Sequence, residues 1–227
     1  MLRGVTASFE QGALHVLEGA NGSGKSTLLS LLGGRASPTS GRAALVAGTT
    51  LLGEGGGLRP LVGWLGHELG LYPDLSSREN VALHAQLRGL DADLAWREGA
   101  AMLGIEGIAE RRVRVLSRGQ RQRVALLRAL VGTPPVVLLD EPSTGLDVAA
   151  CARLIELLAS LRDRGAIVLV VTHDVELRNR LDATRWRLAE GRLREEGVSR
   201  ETDQPAQLAQ GNGSEGSTSK GDDVVEP

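Results

Sequence analysis

The sequence predicts an α/β fold, a core with a parallel sheet into which an α-helical subdomain is inserted. Three observations carry this. Residues 136–139 and Ile167–Val171 are near-continuously apolar, as strands buried on both faces must be. Residues 13–18 read as a short strand that runs into a glycine-rich turn, with a helix starting at Ser26. Between Asp74 and Leu130 the apolar spacing becomes helical: Val81, Leu83, Leu87 and Leu90, then Met102 and Leu103, then Val124, Leu127, Leu130 and Val131.

Ala44–Ala47 and residues 61–65 add strand-like runs, and the glycines of residues 53–57 read as a flexible surface turn. Residues 1–197 are expected to form one domain, with the helical subdomain at about 72–130. From 198 to 227 the chain turns to Gln, Gly, Ser, Glu and Asp and cannot bury enough surface to offset its ordering entropy, so a disordered tail is expected.

Composition excludes several classes. With 227 residues, 41% hydrophobic and 24% charged, and a formal net charge of -2, the chain is neither an acidic polymer nor a basic nucleic-acid binder. Apolar runs of about five residues fall far short of the roughly twenty that cross a bilayer. A single cysteine, Cys151, excludes an internal disulfide, and a soluble protein in a reducing cytoplasm is expected. Aromatics are only 2%, so base-stacking platforms are scarce. Of 26 basic residues only Lys25 and Lys220 are lysines, which draws the eye to where lysine survives.

Lys25 sits in Gly19-Ala-Asn-Gly-Ser-Gly-Lys-Ser-Thr27, the pattern G-x-x-x-x-G-K-[ST] of a phosphate-binding loop, with the required strand before and helix after. Gly19, Gly22 and Gly24 let backbone N–H groups of the loop, Asn21 and Ser23 included, curl around a phosphate. The helix opening at Ser26 and Thr27 presents its positive end, Lys25 reaches the β- and γ-phosphates, and Ser26 offers a hydroxyl to Mg²⁺. A nucleotide tail is the natural ligand. A second element, Val136-Val-Leu-Leu-Asp140-Glu141, delivers two carboxylates at the end of an apolar strand. Asp140 can hold Mg²⁺, and Glu141 can orient or deprotonate the water that attacks the γ-phosphate.

Leu116-Ser-Arg-Gly-Gln120, followed by a helix and then the acid-ended strand, resembles the LSGGQ signature of ABC ATPases, and the resemblance covers residues 5 to about 195. It implies ATP and Mg²⁺ as cofactors and antiparallel strands beside the parallel sheet. It also implies a homodimer in which Ser117, Gly119 and Gln120 face the γ-phosphate held by the other subunit's loop. The segment ending in Asp147 resembles the loop that couples the two sites, and His173, after residues 167–171, resembles the switch histidine. The family further implies integral membrane permease subunits, docking by a short helix near His67 and residues 73–90, a place on the cytoplasmic face of the inner membrane, and no nucleic-acid partner. Repair-type relatives would need a long coiled coil where only about 90 residues separate Thr27 from Leu116, and translation-type relatives normally carry tandem domains.

Two departures stand out. Where the family usually has glutamine after residues 62–65, this chain has His67, within Gly66-His-Glu-Leu-Gly70. That form resembles the ATPase of the haem exporter of cytochrome c maturation; the alternative is another small exporter of drug, lipid or polysaccharide. Residues 2–9 resemble the family's second strand, and its first strand and adenine-stacking aromatic residue are not present ahead of it.

Overall fold

The computed structural model describes residues 2–198. Five parallel strands form the centre of the molecule: β1 (Leu14–Glu18), β4 (Val62–Leu65), β5 (Val136–Asp140), β6 (Ile167–Val171) and β7 (Thr184–Ala189), in the order β4-β5-β6-β1-β7. An antiparallel β8 (Arg192–Val198) closes the β7 edge, and β2 (Ala44–Ala47) pairs with β3 (Thr50–Glu54) in a separate antiparallel hairpin. The helices are α1 (Lys25–Leu32), α2 (Ser77–Leu87), α3 (Ala92–Leu103), α4 (Arg118–Leu130), α5 (Val148–Asp163) and α6 (Val175–Arg180).

Why β5 and β6, inside the sheet, are almost wholly apolar is visible in β5. Val137 and Leu139 enter the core beneath α2 to α5, whereas Val136 and Leu138 enter the core on the other face with Leu28 and Leu29 of α1. Each such buried aliphatic side chain stabilises the fold by roughly 1.5–3 kcal/mol. The inserted helices α2 and α4 each begin with a capping box, Ser76 with Glu79 and Ser117 with Gln120, which satisfies free N–H groups at both ends of the exchange.

Four details differ from the sequence expectation. Residues 2–9 form no strand: a strand needs a neighbour along its length, and here the backbone contact is a bond from the Arg3 N–H to Gly191 O, while Leu2, Val5 and Phe9 pack onto the core as isolated side chains. Residues 53–57 are not a loose turn. Gly53 ends in β3, and Gly55–Leu61 is a 3₁₀ helix against which α1 ends, so closely that a Cβ at Gly34 would overlap the Gly55 carbonyl. The apolar stripe of α2 faces inward at Val81 and Ala85, leaving Leu87 77% exposed, and Met102 of α3 also faces outward. Strands β3 and β8 are mostly exposed, and neither forms a continuous apolar run in the sequence. The expected tail lies outside the described residues, and among those described no helix is long and apolar enough to cross a membrane.

Candidate nucleotide site

Four adjacent parallel strands, β4, β5, β6 and β1, release their chains at the same edge of the sheet. β4 leads to His67, β5 ends at Asp140 with Glu141 next, β6 leads to Thr172 and His173, and β1 leads to Gly19. Residues up to 154 positions apart are thereby brought to one edge, where α/β sheets bind ligands.

The loop after β1 requires glycine. Gly19 has φ +156°, and a Cβ there would overlap the Leu188 carbonyl; Gly24 caps α1 from the left-handed region at φ +107°. No acidic residue occupies the first turn of α1, so its N–H groups face the loop uncompensated. Lys25 is buried, and its ammonium donates to the Gly19 and Ala20 carbonyls at 2.7 and 3.0 Å, folded across the mouth of the loop. Ser26 Oγ donates to Asp140 Oδ2 at 2.9 Å, joining loop and strand end. The Ser23 hydroxyl is buried without a partner, while Asn21, Gly22 and Thr27 are exposed.

Glu141 sits in the left-handed region at φ +51°, which side chains seldom adopt and which costs of order 1–3 kcal/mol. The neighbourhood holds it there. Its N–H donates to Val171 O at 2.8 Å, and its Oε2 accepts from the His173 backbone N–H at 3.2 Å and from Thr172 Oγ1 at 3.4 Å. His173 Nε2 lies 3.7 Å from Oε1, an oxygen otherwise buried without a partner. Gln122 of α4, which the sequence did not single out, donates to the carbonyls of Glu141 and Pro142, both at 3.1 Å. Gln122 is buried in the fold, and nothing in the local sequence marks it.

Ser117 and Gln120 bond to each other as the cap of α4, with 3.2 and 3.0 Å contacts, so the Gln120 side chain is occupied within its own helix. Gly119 packs on the loop before Asp147: a Cβ there would overlap the Gly145 carbonyl. Asp147 caps α5 by accepting from the Ala150 N–H at 2.7 Å. None of these residues contacts the Gly19–Thr27 loop of its own chain among the described contacts. Arg118, in the place of the signature's first glycine, lies over Gly145 and lines a cleft of about 470 Å³ with His67, Asp140 and Glu141. His67 is exposed there. Asn80 of α2 fixes the chain between His67 and α2, accepting from the Tyr72 N–H at 2.7 Å and donating to the Ser76 carbonyl at 2.9 Å.

This combination, a phosphate loop, an acid-ended strand and a capped signature helix on one mixed sheet, defines an ATP-binding cassette. The sequence family described as ABC transporter matches residues 2–144, and the chain belongs to that family. The lipoprotein-releasing system ATP-binding protein LolD of Bordetella avium is 39% identical over 202 residues, covering 85% of this chain and 87% of that one. The pyoverdine export ATP-binding/permease protein PvdT of Pseudomonas syringae pv. tomato is 37% identical over 185 residues, 78% of this chain and 28% of the longer relative. Among solved structures, the dimeric bacterial ABC transporter cassette MJ0796 superposes with a TM-score of 0.78 at 29% identity, over 86% of this chain and 90% of that one. Its post-hydrolysis form, bound to ADP and phosphate, superposes with a TM-score of 0.77.

Proposed function

We propose that this chain is the ATP-hydrolysing subunit of an ABC exporter, working as a homodimer with integral membrane permease subunits on the cytoplasmic face of the inner membrane. The observation that carries the reading is the convergence of Lys25, Ser26, Asp140, Glu141 and His173 at the ends of adjacent strands.

On nucleotide entry Lys25 exchanges its two carbonyl partners for β- and γ-phosphate oxygens, and the N–H groups of Gly22 to Thr27 take the remaining phosphate oxygens. Ser26 Oγ and Asp140 fit Mg²⁺, an ion that takes oxygen ligands and keeps several waters and phosphate oxygens beside one or two protein groups. When bound, that ion neutralises charge on the phosphate oxygens. Glu141 orients a water toward the γ-phosphorus and accepts its proton, and His173, held beside it, contacts the γ-phosphate. Ser117 and Gly119, exposed or half-exposed at the start of α4, complete the site of a second subunit. Gln120 supports them as the cap, and Asp147 sets the start of α5 between the two sites. His67 lines the same cleft as Asp140 and Glu141, at the place where the family resemblance has a glutamine, and would contact the metal's water there.

Cargo never touches these residues, so the nucleotide site carries no record of it. The relatives named above serve lipoprotein release and pyoverdine export. None of them is a haem exporter, and the haem-export reading draws on the sequence, chiefly on the Gly66–His67–Gly70 loop. Purifying the tagged full-length chain from its own membranes tests both levels. Mg²⁺-dependent phosphate release by the purified material supports the ATPase reading, and its absence overturns it. A co-purifying permease of lipoprotein-release type favours the first cargo, and cytochrome c maturation proteins favour the second.

A further inference from the structure

Glu18 ends β1, directly before the phosphate loop, and lies on the face of the sheet where Val16 packs with Leu177 of α6. There it meets Arg178 of α6, whose Nη1 donates to Glu18 Oε2 at 3.4 Å. Both side chains are largely withdrawn from water, 15% and 27% exposed. The pair is only half closed. Glu18 Oε1 and Arg178 Nε are each buried without a partner, and 3.4 Å is about half an ångström longer than a charge-assisted bond between such groups. Arg187, opposite Glu18 on β7, is engaged elsewhere, by Glu196 at 3.2 Å.

α6 is six residues long, begins just after His173, and has Leu177 as its buried residue. A chain of bonds runs from its start to the catalytic edge. Asp174 caps it by accepting from the Leu177 N–H at 3.1 Å, the Asp174 N–H donates to Thr172 Oγ1 at 3.1 Å, and Thr172 Oγ1 donates to Glu141 Oε2 at 3.4 Å. Whatever holds α6 therefore also holds His173 and the Glu141 carboxylate. We propose that Arg178 is a positioning residue for ATP hydrolysis. Through Glu18 it ties α6, and with it His173 and Glu141, to the strand that carries the phosphate loop. The open half of the pair lets α6 close on β1 when His173 meets the γ-phosphate. This role rests on the reading of the chain as an ATPase.

The test compares the full chain with its Arg178→Gln and Glu18→Gln variants, single and combined. Phosphate release is measured against ATP concentration, and the histidine ring C–H signals are followed by NMR as Mg²⁺ and the β,γ-imido analogue of ATP are added. The His173 signal is assigned by its loss in His173→Gln. Each single variant should lose about tenfold in kcat, since a 1 Å misplacement of reacting groups costs about a hundredfold. KM for ATP should stay within about twofold, because Lys25 and its loop are untouched. The double variant should be no slower than the slower single one, and Arg178→Lys should recover part of the rate. The analogue should shift the His173 signal in the wild type and leave it near its free position in Arg178→Gln, although it still binds. Should Arg178→Gln not fold, Glu18→Gln, which leaves the guanidinium a neutral acceptor, carries both readouts. Unchanged kcat, a raised KM at unchanged kcat, or additive losses in the double variant overturn the assignment. A wild-type chain that releases no phosphate overturns the ATPase reading instead, and the His173 signal then decides the coupling alone. An equal response in wild type and variants, or a response in neither, overturns it.

Discussion

Ser26 Oγ donates to Asp140 Oδ2 at 2.9 Å across 114 positions of sequence, so the two oxygens proposed to hold Mg²⁺ are in contact before any ion arrives. Loading the metal must break this bond, whose net worth is about 1 kcal/mol. Asp140→Asn keeps the contact but removes the charge. It should lower kcat at least about a hundredfold at saturating Mg²⁺ while changing the melting temperature little. Ser26→Ala should instead raise the Mg²⁺ concentration needed for half-maximal rate. Phosphate release measured against Mg²⁺, with chelator as the zero point, distinguishes the two, and equal Mg²⁺ curves for Ser26→Ala and wild type would remove Ser26 from the metal site.

Glu141 is held in a left-handed backbone conformation by Val171 O and clasped by the His173 N–H. Glu141→Gln preserves shape and removes the base, so hydrolysis should fall by about 10²–10⁴. ATP binding should survive, and sedimentation with ATP should show a dimer that persists. Unimpaired turnover in this variant would be incompatible with Glu141 as the base.

Most of the catalytic edge was legible because its residues are dictated by local chemistry. The Gly19–Thr27 loop, the acids after 136–139 and the histidine after 167–171 announce themselves by type and by strand context. What escaped is what depends on neighbours distant in sequence. Gln122 is an unremarkable helix residue until α4 lies against the Glu141 turn. Residues 2–9 have a strand-like pattern, yet no strand lies alongside them. The glycines of 53–57 looked like slack, whereas a Cβ at Gly53 would press on Leu61 and the Gly57 carbonyl, and Gly55 holds a left-handed φ of +51° with its carbonyl against Gly34 at the end of α1. The Glu18–Arg178 pair was invisible for the same reason: in a chain with almost no lysine, one arginine looks like any other until the fold sets it against a carboxylate.

The Gly119–Gly145 approach ties the signature helix to the loop before Asp147 with no room for a methyl group. Gly119→Ala must push the start of α4 away from the Gly145 carbonyl, an overpacking cost of about 1–3 kcal/mol. Thermal unfolding should shift down by several degrees. If the start of α4 serves a second subunit's nucleotide, ATP-driven dimerisation of the Glu141→Gln background should also be lost. A lower melting temperature with intact dimerisation would assign Gly119 to packing alone.

His15 supplies a pH dependence that has nothing to do with catalysis. It is 4% exposed, meets the Phe9 and Trp186 rings edge-on, and its Nδ1 accepts the Trp186 indole N–H at 3.2 Å, leaving Nε2 buried without a partner. Burial lowers its pKa from 6.5 to about 4. Between those values the unfolded chain binds a proton that the folded chain refuses, so stability rises with pH across that window, is complete above pH 6.5 and is lost as pH falls toward 4. The slope is about 1.4 kcal/mol per pH unit for one proton, and the whole contribution is about 3 kcal/mol. His15→Gln keeps an acceptor for Trp186 and cannot charge. Urea unfolding from pH 7.5 to 4.5 should therefore show a shallower decline for this variant than for the wild type, by close to one proton's slope. His84, depressed to the same value but half exposed, adds a smaller slope common to both proteins. Parallel curves would mean that His15 takes up its proton in the folded state as readily as in the unfolded one.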